Sequence, residues 1–180
     1  MRIIAGTLKG RRLKAPDWPG LRPTSDKLRE TLFNVLGQRL DGQTVLDAYA
    51  GTGAVGLEAL SRGAAHVTFV EREPRAAALI EANLARCGVT ERYAIIRVEF
   101  ARAALQLAGT GFDLIFLDPP YGASELNRAL EGAAALARPD TTVVIEHAKR
   151  DAPPERCGPL ALARNLISGD SALAFYGSSG

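Results

Sequence analysis

The chain has little of the chemistry from which metal and redox proteins are built. It holds two cysteines, two histidines, one methionine and one tryptophan among 180 residues. Cys87 and Cys157 stand far apart and form no Cys-x-x-Cys pair. Neither a disulfide framework nor a thiolate metal site is expected, and isolated thiols of this kind suit a reducing compartment. His66 and His147 add too few ligands for a metal centre, so no metal is expected. No apolar run approaches the roughly 20 residues of a membrane span. The opening Met-Arg-Ile-Ile-Ala-Gly has no apolar stretch of the kind a signal peptide needs. The expectation is a cytoplasmic protein with no membrane partner, and a monomer.

What is present describes an ordinary globular chain. Hydrophobic residues make up 47% and mean hydropathy is close to zero, which suits a single folded domain. Charge is unevenly spread. Residues 1–40 carry nine basic and three acidic residues, whereas the rest carries 13 basic and 17 acidic. A basic leading segment on a mildly acidic body reads as an arm for a polyanion. The plain alternative is a solvated charged face.

Short segments at Arg2–Ala5 and Arg11–Lys14 flank a connection bounded by Gly6 and Gly10, which predicts a β-hairpin. Pro16, Pro19, Gly20 and Pro23 predict an extended linker. Thr24-Ser25-Asp26 is a helix start, followed by Leu28, Leu32, Phe33, Val35 and Leu36 at helical spacing. Beyond Gly42 apolar strands alternate with helices, with strands predicted at 44–47, 66–71, 93–98, 112–118 and 142–146. That pattern indicates a mostly parallel α/β sheet covered on both faces. Leu160–Ile167 and Ala172–Tyr176 flank Ser168-Gly169-Asp170-Ser171, so the sheet is expected to end in an antiparallel hairpin.

In such a sheet ligands sit outside the carboxyl ends of the strands. Asp118-Pro119-Pro120-Tyr121 lies at one such tip. The prolines stiffen the backbone and remove N–H donors, leaving carbonyls as acceptors. Asp118 adds another acceptor, and Tyr121 offers a flat face for a nucleobase. This combination suits a flat ring bearing an exocyclic amine. A stiff turn after a strand is the plain alternative.

Gly51, Gly53 and Gly56 match Gly-x-Gly-x-x-Gly after the first sheet strand, with Glu71 at the end of the next. This is close to a dinucleotide fingerprint, so a nicotinamide-dependent oxidoreductase is a serious rival. Two features oppose it. Asp47 ends the strand, where its carboxylate would repel a pyrophosphate and suit a cationic ligand. No arrangement of His, Lys or Tyr for hydride transfer is visible. S-adenosylmethionine fits better: Asp47 near its ammonium group, Gly51 and Gly53 allowing close backbone approach, and Glu71 accepting from the ribose hydroxyls. Glu99 with Phe100 would flank the adenine.

Asp47-Ala48-Tyr49-Ala50-Gly51-Thr52-Gly53 resembles motif I of class I methyltransferases, and Asp118-Pro119-Pro120-Tyr121 resembles the motif of amino-methyltransferases. Narrower signals are Arg2-Ile-Ile-Ala-Gly, Leu21-Arg-Pro-Thr-Ser-Asp-Lys-Leu-Arg-Glu-Thr-Leu-Phe-Asn, and the closing Gly169-Asp-Ser-Ala-Leu-Ala-Phe-Tyr. With these the chain resembles, over essentially its whole length, the bacterial 16S ribosomal RNA guanine-N2 methyltransferase family, the D member of the small-subunit set. One departure is Glu99-Phe100, where the family often carries Asp or Asn followed by Ala.

The resemblance implies a Rossmann-like fold with a seven-stranded, mostly parallel sheet. A small hairpin extension at residues 1–20 would precede the methyltransferase domain at 21–180. It implies transfer of a methyl group to the N2 amine of a guanine in 16S ribosomal RNA, in an assembled or assembling small subunit. Asp118, Pro119, Pro120 and Tyr121 become the catalytic candidates. Asp47, Tyr49, Ala50, Gly51, Thr52, Gly53, Glu71, Arg72, Glu99 and Phe100 become the S-adenosylmethionine candidates. Lys9, Arg11, Arg12, Lys14 and Arg22 are the candidates for RNA phosphates. An adenine-N6 methyltransferase uses the same aromatic clamp and stays open as an alternative. A non-catalytic RNA-binding module would need no cofactor loop.

Overall fold

A computed structural model describes residues 1–178 of the chain. Five helices, α1 (Asp26–Leu36), α2 (Ala54–Ser61), α3 (Pro74–Arg86), α4 (Phe100–Gln106) and α5 (Ala123–Leu136), surround one sheet. Its strands are β1 (Thr44–Ala48), β2 (His66–Val70), β3 (Tyr93–Ile96), β4 (Leu114–Leu117), β5 (Thr142–Ala148), β6 (Arg156–Cys157), β7 (Leu160–Ser168) and β8 (Ser171–Ser178). They lie in the order β3-β2-β1-β4-β5-β8-β7-β6. The five from β3 to β5 are parallel, and β8, β7 and β6 add antiparallel. The sheet is therefore the mostly parallel α/β sheet expected, with the C-terminal hairpin in place. The seven anticipated strands gain β6, two residues too short to leave a periodic signal.

The strands alternate sides residue by residue. Val45, Leu114, Phe116 and Val144 face the core under α1, α2 and α3. Leu46, Ile115, Leu117, Val143 and Ile145 face the core under α4 and α5. Leu117 pairs with Ile145, so one step beyond, Asp118 and Glu146 come side by side on the α1–α2 face. The strand order reverses between β1 and β4. A crevice opens there at the carboxyl ends, which is where open α/β sheets bind ligands.

Two local devices set the tight first β-α turn. Gly53 caps α2 in the left-handed region at φ 77°. Gly56 lets α2 press onto β2, because a Cβ there would lie 2.2 Å from Phe69 Cε1. Gly56→Ala should therefore overpack the helix–sheet contact and cost about 1–3 kcal/mol. Urea unfolding would show it, and an unshifted midpoint would contradict it.

The N-terminal hairpin is reduced to one antiparallel bridge, Arg2 to Arg12. Ile3 and Leu13 from its two arms are buried in the core beneath α1, α2 and α3. Ser25 caps α1 as its sequence indicated, its hydroxyl accepting from the Leu28 N–H at 3.1 Å.

Candidate active site

The crevice is a cleft of about 1060 Å³. It is lined by the turn after β1, the turn after the neighbouring β4 and the linker before α1. Both motifs thus open into one space. Its lining includes Tyr49, Ala50, Gly51, Thr52, Glu71, Arg72, Glu99 and Phe100. Asp118, Pro119, Pro120 and Tyr121 line it as well.

Asp47 does not line the cleft. It is 1% exposed, and its Oδ2 accepts the Gly56 N–H at 2.8 Å. Its carboxyl is pushed up to about 8 by burial, against the pull of the Gly56 hydrogen bond, with the Glu71 charge adding a little. The expectation that Asp47 meets a cationic ligand is corrected: the side chain lies under the glycine loop and ties it to α2. A strand-end position was read as cleft-facing, but the two-residue period turns this one inward. The like-charge objection to a dinucleotide consequently loses its basis. Gly53 also stands back from the lining, and it serves the turn.

Glu71, at the tip of β2, is bonded on both oxygens. Oε2 accepts from the Gly51 N–H at 2.9 Å, and Oε1 from the Glu73 N–H at 2.9 Å. It both lines the cleft and holds the glycine loop. Gly51 has φ +56°, and a Cβ there would come within 3.2 Å of Leu21 Cδ1. The loop and the linker could not approach so closely with a larger residue. Arg72 and Glu99 pair at 2.7 Å on the exposed rim. Phe100 is buried, tilted against Tyr49 with ring centroids 5.5 Å apart. Its ring forms the floor instead of a free stacking face.

Asp118 is held by its surroundings in a state unlike a surface carboxylate. Burial first, then the charges of Glu146 and Asp47 and a hydrogen bond with the Glu146 carboxyl, raise its proton affinity well above the ordinary range, while Thr24 opposes them. Tyr121 is 40% exposed, and its hydroxyl reaches Ser171 Oγ at 2.8 Å and donates to Glu146 Oε1 at 3.3 Å. The phenol is thereby fixed while a ring face stays open. The Pro119 carbonyl accepts no hydrogen bond from the described residues.

Three residues here escaped the sequence reading. Thr24 lines the same cleft and lowers the proton affinity of Asp118. Glu146 stands beside Asp118 and is 7% exposed. Asn83, fully buried on α3, accepts the Lys14 N–H at 2.7 Å and donates to the carbonyls of Lys14 and Thr52. The acidic residue ending the fifth strand was visible, but only register shows that it neighbours Asp118. Lys9, Arg11, Arg12, Lys14 and Arg22 are all exposed, and of these only Arg22 lines the cleft.

A doubly wound sheet with a glycine loop and an Asp-Pro-Pro-Tyr turn side by side at the switch point defines a Rossmann-like methyltransferase fold. A family model described as "Conserved hypothetical protein 95" matches residues 1–177. The chain is 37% identical to "Ribosomal RNA small subunit methyltransferase D" of Escherichia coli, over 98% of this chain and 89% of that one. It is 38% identical to "Putative rRNA methyltransferase YlbH" of Bacillus subtilis over the full length of both. A solved structure, "Putative methyltransferase yhhF from Escherichia coli", superposes with a TM-score of 0.83 at 32% identity, covering 99% of this chain and 97% of that one. The chain belongs to this family, that of the small-subunit ribosomal RNA methyltransferases D.

Proposed function

We propose that this protein transfers a methyl group from S-adenosylmethionine to the exocyclic N2 amine of a guanine in 16S ribosomal RNA, in an assembled or assembling small subunit. One observation carries the reading: the glycine loop of β1 and the Asp118–Tyr121 turn of β4 open into the same cleft. The names of its relatives supply small-subunit ribosomal RNA as the substrate class.

The residues present fit the cofactor. The side-chain-free Gly51 lets a ligand reach the loop backbone. Each Glu71 oxygen accepts one backbone N–H, and a carboxylate has about four acceptor sites. Two sites are left for ribose hydroxyls. Arg72, Glu99 and Phe100 would enclose the adenine end. Bound there, S-adenosylmethionine supplies a methyl group already activated on a sulfonium.

The protein's part is positioning. A guanine N2 amine is a poor nucleophile because its lone pair is delocalised into the ring. Asp118 and the Pro119 carbonyl accept hydrogen bonds from its two N–H groups, favouring a pyramidal nitrogen with a free lone pair. Ionised Asp118 takes the proton that the nitrogen loses as its bond to the methyl forms. Tyr121 stacks on the base, worth about 1–3 kcal/mol. Holding the partners in line supplies most of the rate enhancement. The base must leave its stack, which costs least in a single-stranded loop.

Residues 1–20 form the RNA-binding extension of the methyltransferase domain at 21–180 in this reading. Lys9, Arg11, Arg12, Lys14 and Arg22 contact phosphates, which orients the RNA without choosing the base. Reversing charge at Arg11 and Arg12 should weaken RNA binding and flatten its salt dependence, by about 0.7 in log–log slope per lost contact with a single strand. Titrations at several salt concentrations test this, and an unchanged slope counts against the arm.

The function is tested by incubating the protein and labelled S-adenosylmethionine with unmodified small-subunit RNA and particles. The digested nucleosides are then identified. N2-methylguanosine is the expected product. N6-methyladenosine, or no transfer together with binding of a nicotinamide dinucleotide, would overturn the reading.

A further inference from the structure

The Asp-Pro-Pro-Tyr clamp recognises an amine but does not distinguish guanine from adenine. Glu146, at the tip of β5, has the chemistry to do so. It lines the cleft beside Asp118 and is 7% exposed. Its Oε1 accepts the Tyr121 hydroxyl at 3.3 Å, and that hydroxyl is itself braced by Ser171 of β8. With both carboxyls ionised its Oε2 has no donor among the described residues. Only a proton held on the pair lets Asp118 and Glu146 hydrogen-bond each other. A buried carboxyl oxygen without a donor is costly, and such an orphan in a native cleft calls for a partner.

Guanine supplies the missing donor. Its edge carries three N–H bonds, two on the N2 amine and one on ring N1. Asp118 and the Pro119 carbonyl account for the first two. The N1–H would be left unsatisfied in the cleft unless a third acceptor stood beside Asp118. Adenine differs at this atom, since its N1 carries a lone pair and no hydrogen.

We propose that Glu146 is the residue that selects guanine, its free Oε2 accepting the N1–H of the target base while Asp118 and Pro119 hold the amine. This rests on the guanine-N2 reading above. Adenine would set a ring-nitrogen lone pair against Oε2 and leave both acceptors unpaired. The site tolerates a carboxyl pair here because burial raises the proton affinity of both Glu146 and Asp118. Selection needs Glu146 in its ionised, acceptor-only form, because a protonated carboxyl would donate to the N1 lone pair of adenine.

The test replaces the target guanine by 2-aminopurine, which keeps the N2 amine but presents a lone pair at N1. Wild-type protein should prefer guanine by about 10²-fold or more in kcat/KM, as expected where a buried polar group would be left unpaired. Glu146→Gln should narrow that preference by about tenfold or more, because its amide can donate to N1 of 2-aminopurine. Glu146→Asp keeps an acceptor and should keep the preference at a lower rate. The fluorescence of 2-aminopurine reads binding without any transfer, and Glu146→Gln should tighten binding of this RNA relative to the guanine one. Rates for the two bases within about threefold of each other in the wild type would overturn the proposal without any variant. So would an equal loss on both bases in Glu146→Gln, the mark of a merely structural role. If the wild type methylates neither base, the guanine-N2 reading itself fails. If it methylates guanine with a preference indifferent to residue 146, only the role of Glu146 fails.

Discussion

Asp118→Ala should lower the methyl-transfer rate roughly 10²–10⁴-fold, the range in which a positioned proton-accepting group contributes. Cofactor affinity should stay close to normal, because no hydrogen bond joins the Asp118 side chain to Gly51 or Glu71 among the described residues. Single-turnover transfer and equilibrium binding measure the two separately, and near-normal transfer by the variant would sink the proposed mechanism. The pH dependence gives an independent check. The ionised carboxylate is the form that best accepts the amine hydrogens, and burial with the neighbouring Glu146 and Asp47 charges raises its proton affinity. The wild-type rate should therefore rise with pH along a limb lying above the ordinary carboxylate value of about 4. Because Asp118 and Glu146 interact, that limb belongs to the pair. Stability runs the other way. The fold binds this proton more tightly than the unfolded chain does, so the contribution is complete at low pH and fades as pH rises through the raised value. Asp118→Ala should flatten both trends, a less active protein gaining stability at the alkaline end.

Much of the architecture could be read from the sequence because its signals are local. Alternating apolar strands, Ser25 before α1, Pro74 at the start of α3 and glycines after the helices each act within a few residues. The cleft candidates were legible for a related reason: the tips of parallel strands converge whatever the strand order. What stayed hidden depends on side-chain direction and register. Asp47 and Glu71 both follow strands, yet one turns under the glycine loop and the other into the cleft. Glu146 becomes Asp118's neighbour only through the pairing of Leu117 with Ile145. Thr24 belongs to a linker whose path over the cleft no periodicity encodes. The basic N-terminus was read for its charge, while the buried Ile3 and Leu13 that dock it are single residues in short arms.

Glu58→Ala should destabilise the protein by about 3–5 kcal/mol, the cost of stranding buried charge by removing its partner. Glu58 follows the glycine loop on α2 and is fully buried. Its oxygens accept from the N–H groups of Ile4 and Ala5, each at 2.9 Å, from Arg29 at 3.2 Å and from Arg62 at 3.0 Å. Arg29 is also fully buried, and it reaches the Arg2 carbonyl at 2.8 Å as well as Asp26. Arg62 lies with its guanidinium 4.5 Å from the Phe33 ring centre. One carboxylate thus joins the N-terminal segment, α1 and α2. Without it two guanidinium groups and two backbone N–H groups lose an acceptor that water replaces poorly in a closed core. Glu58→Gln keeps the volume and one acceptor oxygen, so its loss should be intermediate. Asp41→Ala is the contrast: its pair with Arg39 is exposed, and its removal should leave the urea midpoint nearly unchanged. Proteolysis should meanwhile open in the N-terminal segment of Glu58→Ala before the rest of the chain, because Ile4 and Ala5 lose their backbone anchor. An unshifted midpoint would refute the role of the network. The consequence reaches the cleft, since Arg29 anchors the helix that follows Thr24, and Thr24 lowers the proton affinity of Asp118. A hydrophobic cluster of similar volume could match the stability, but it would not fix the direction in which three backbone segments meet.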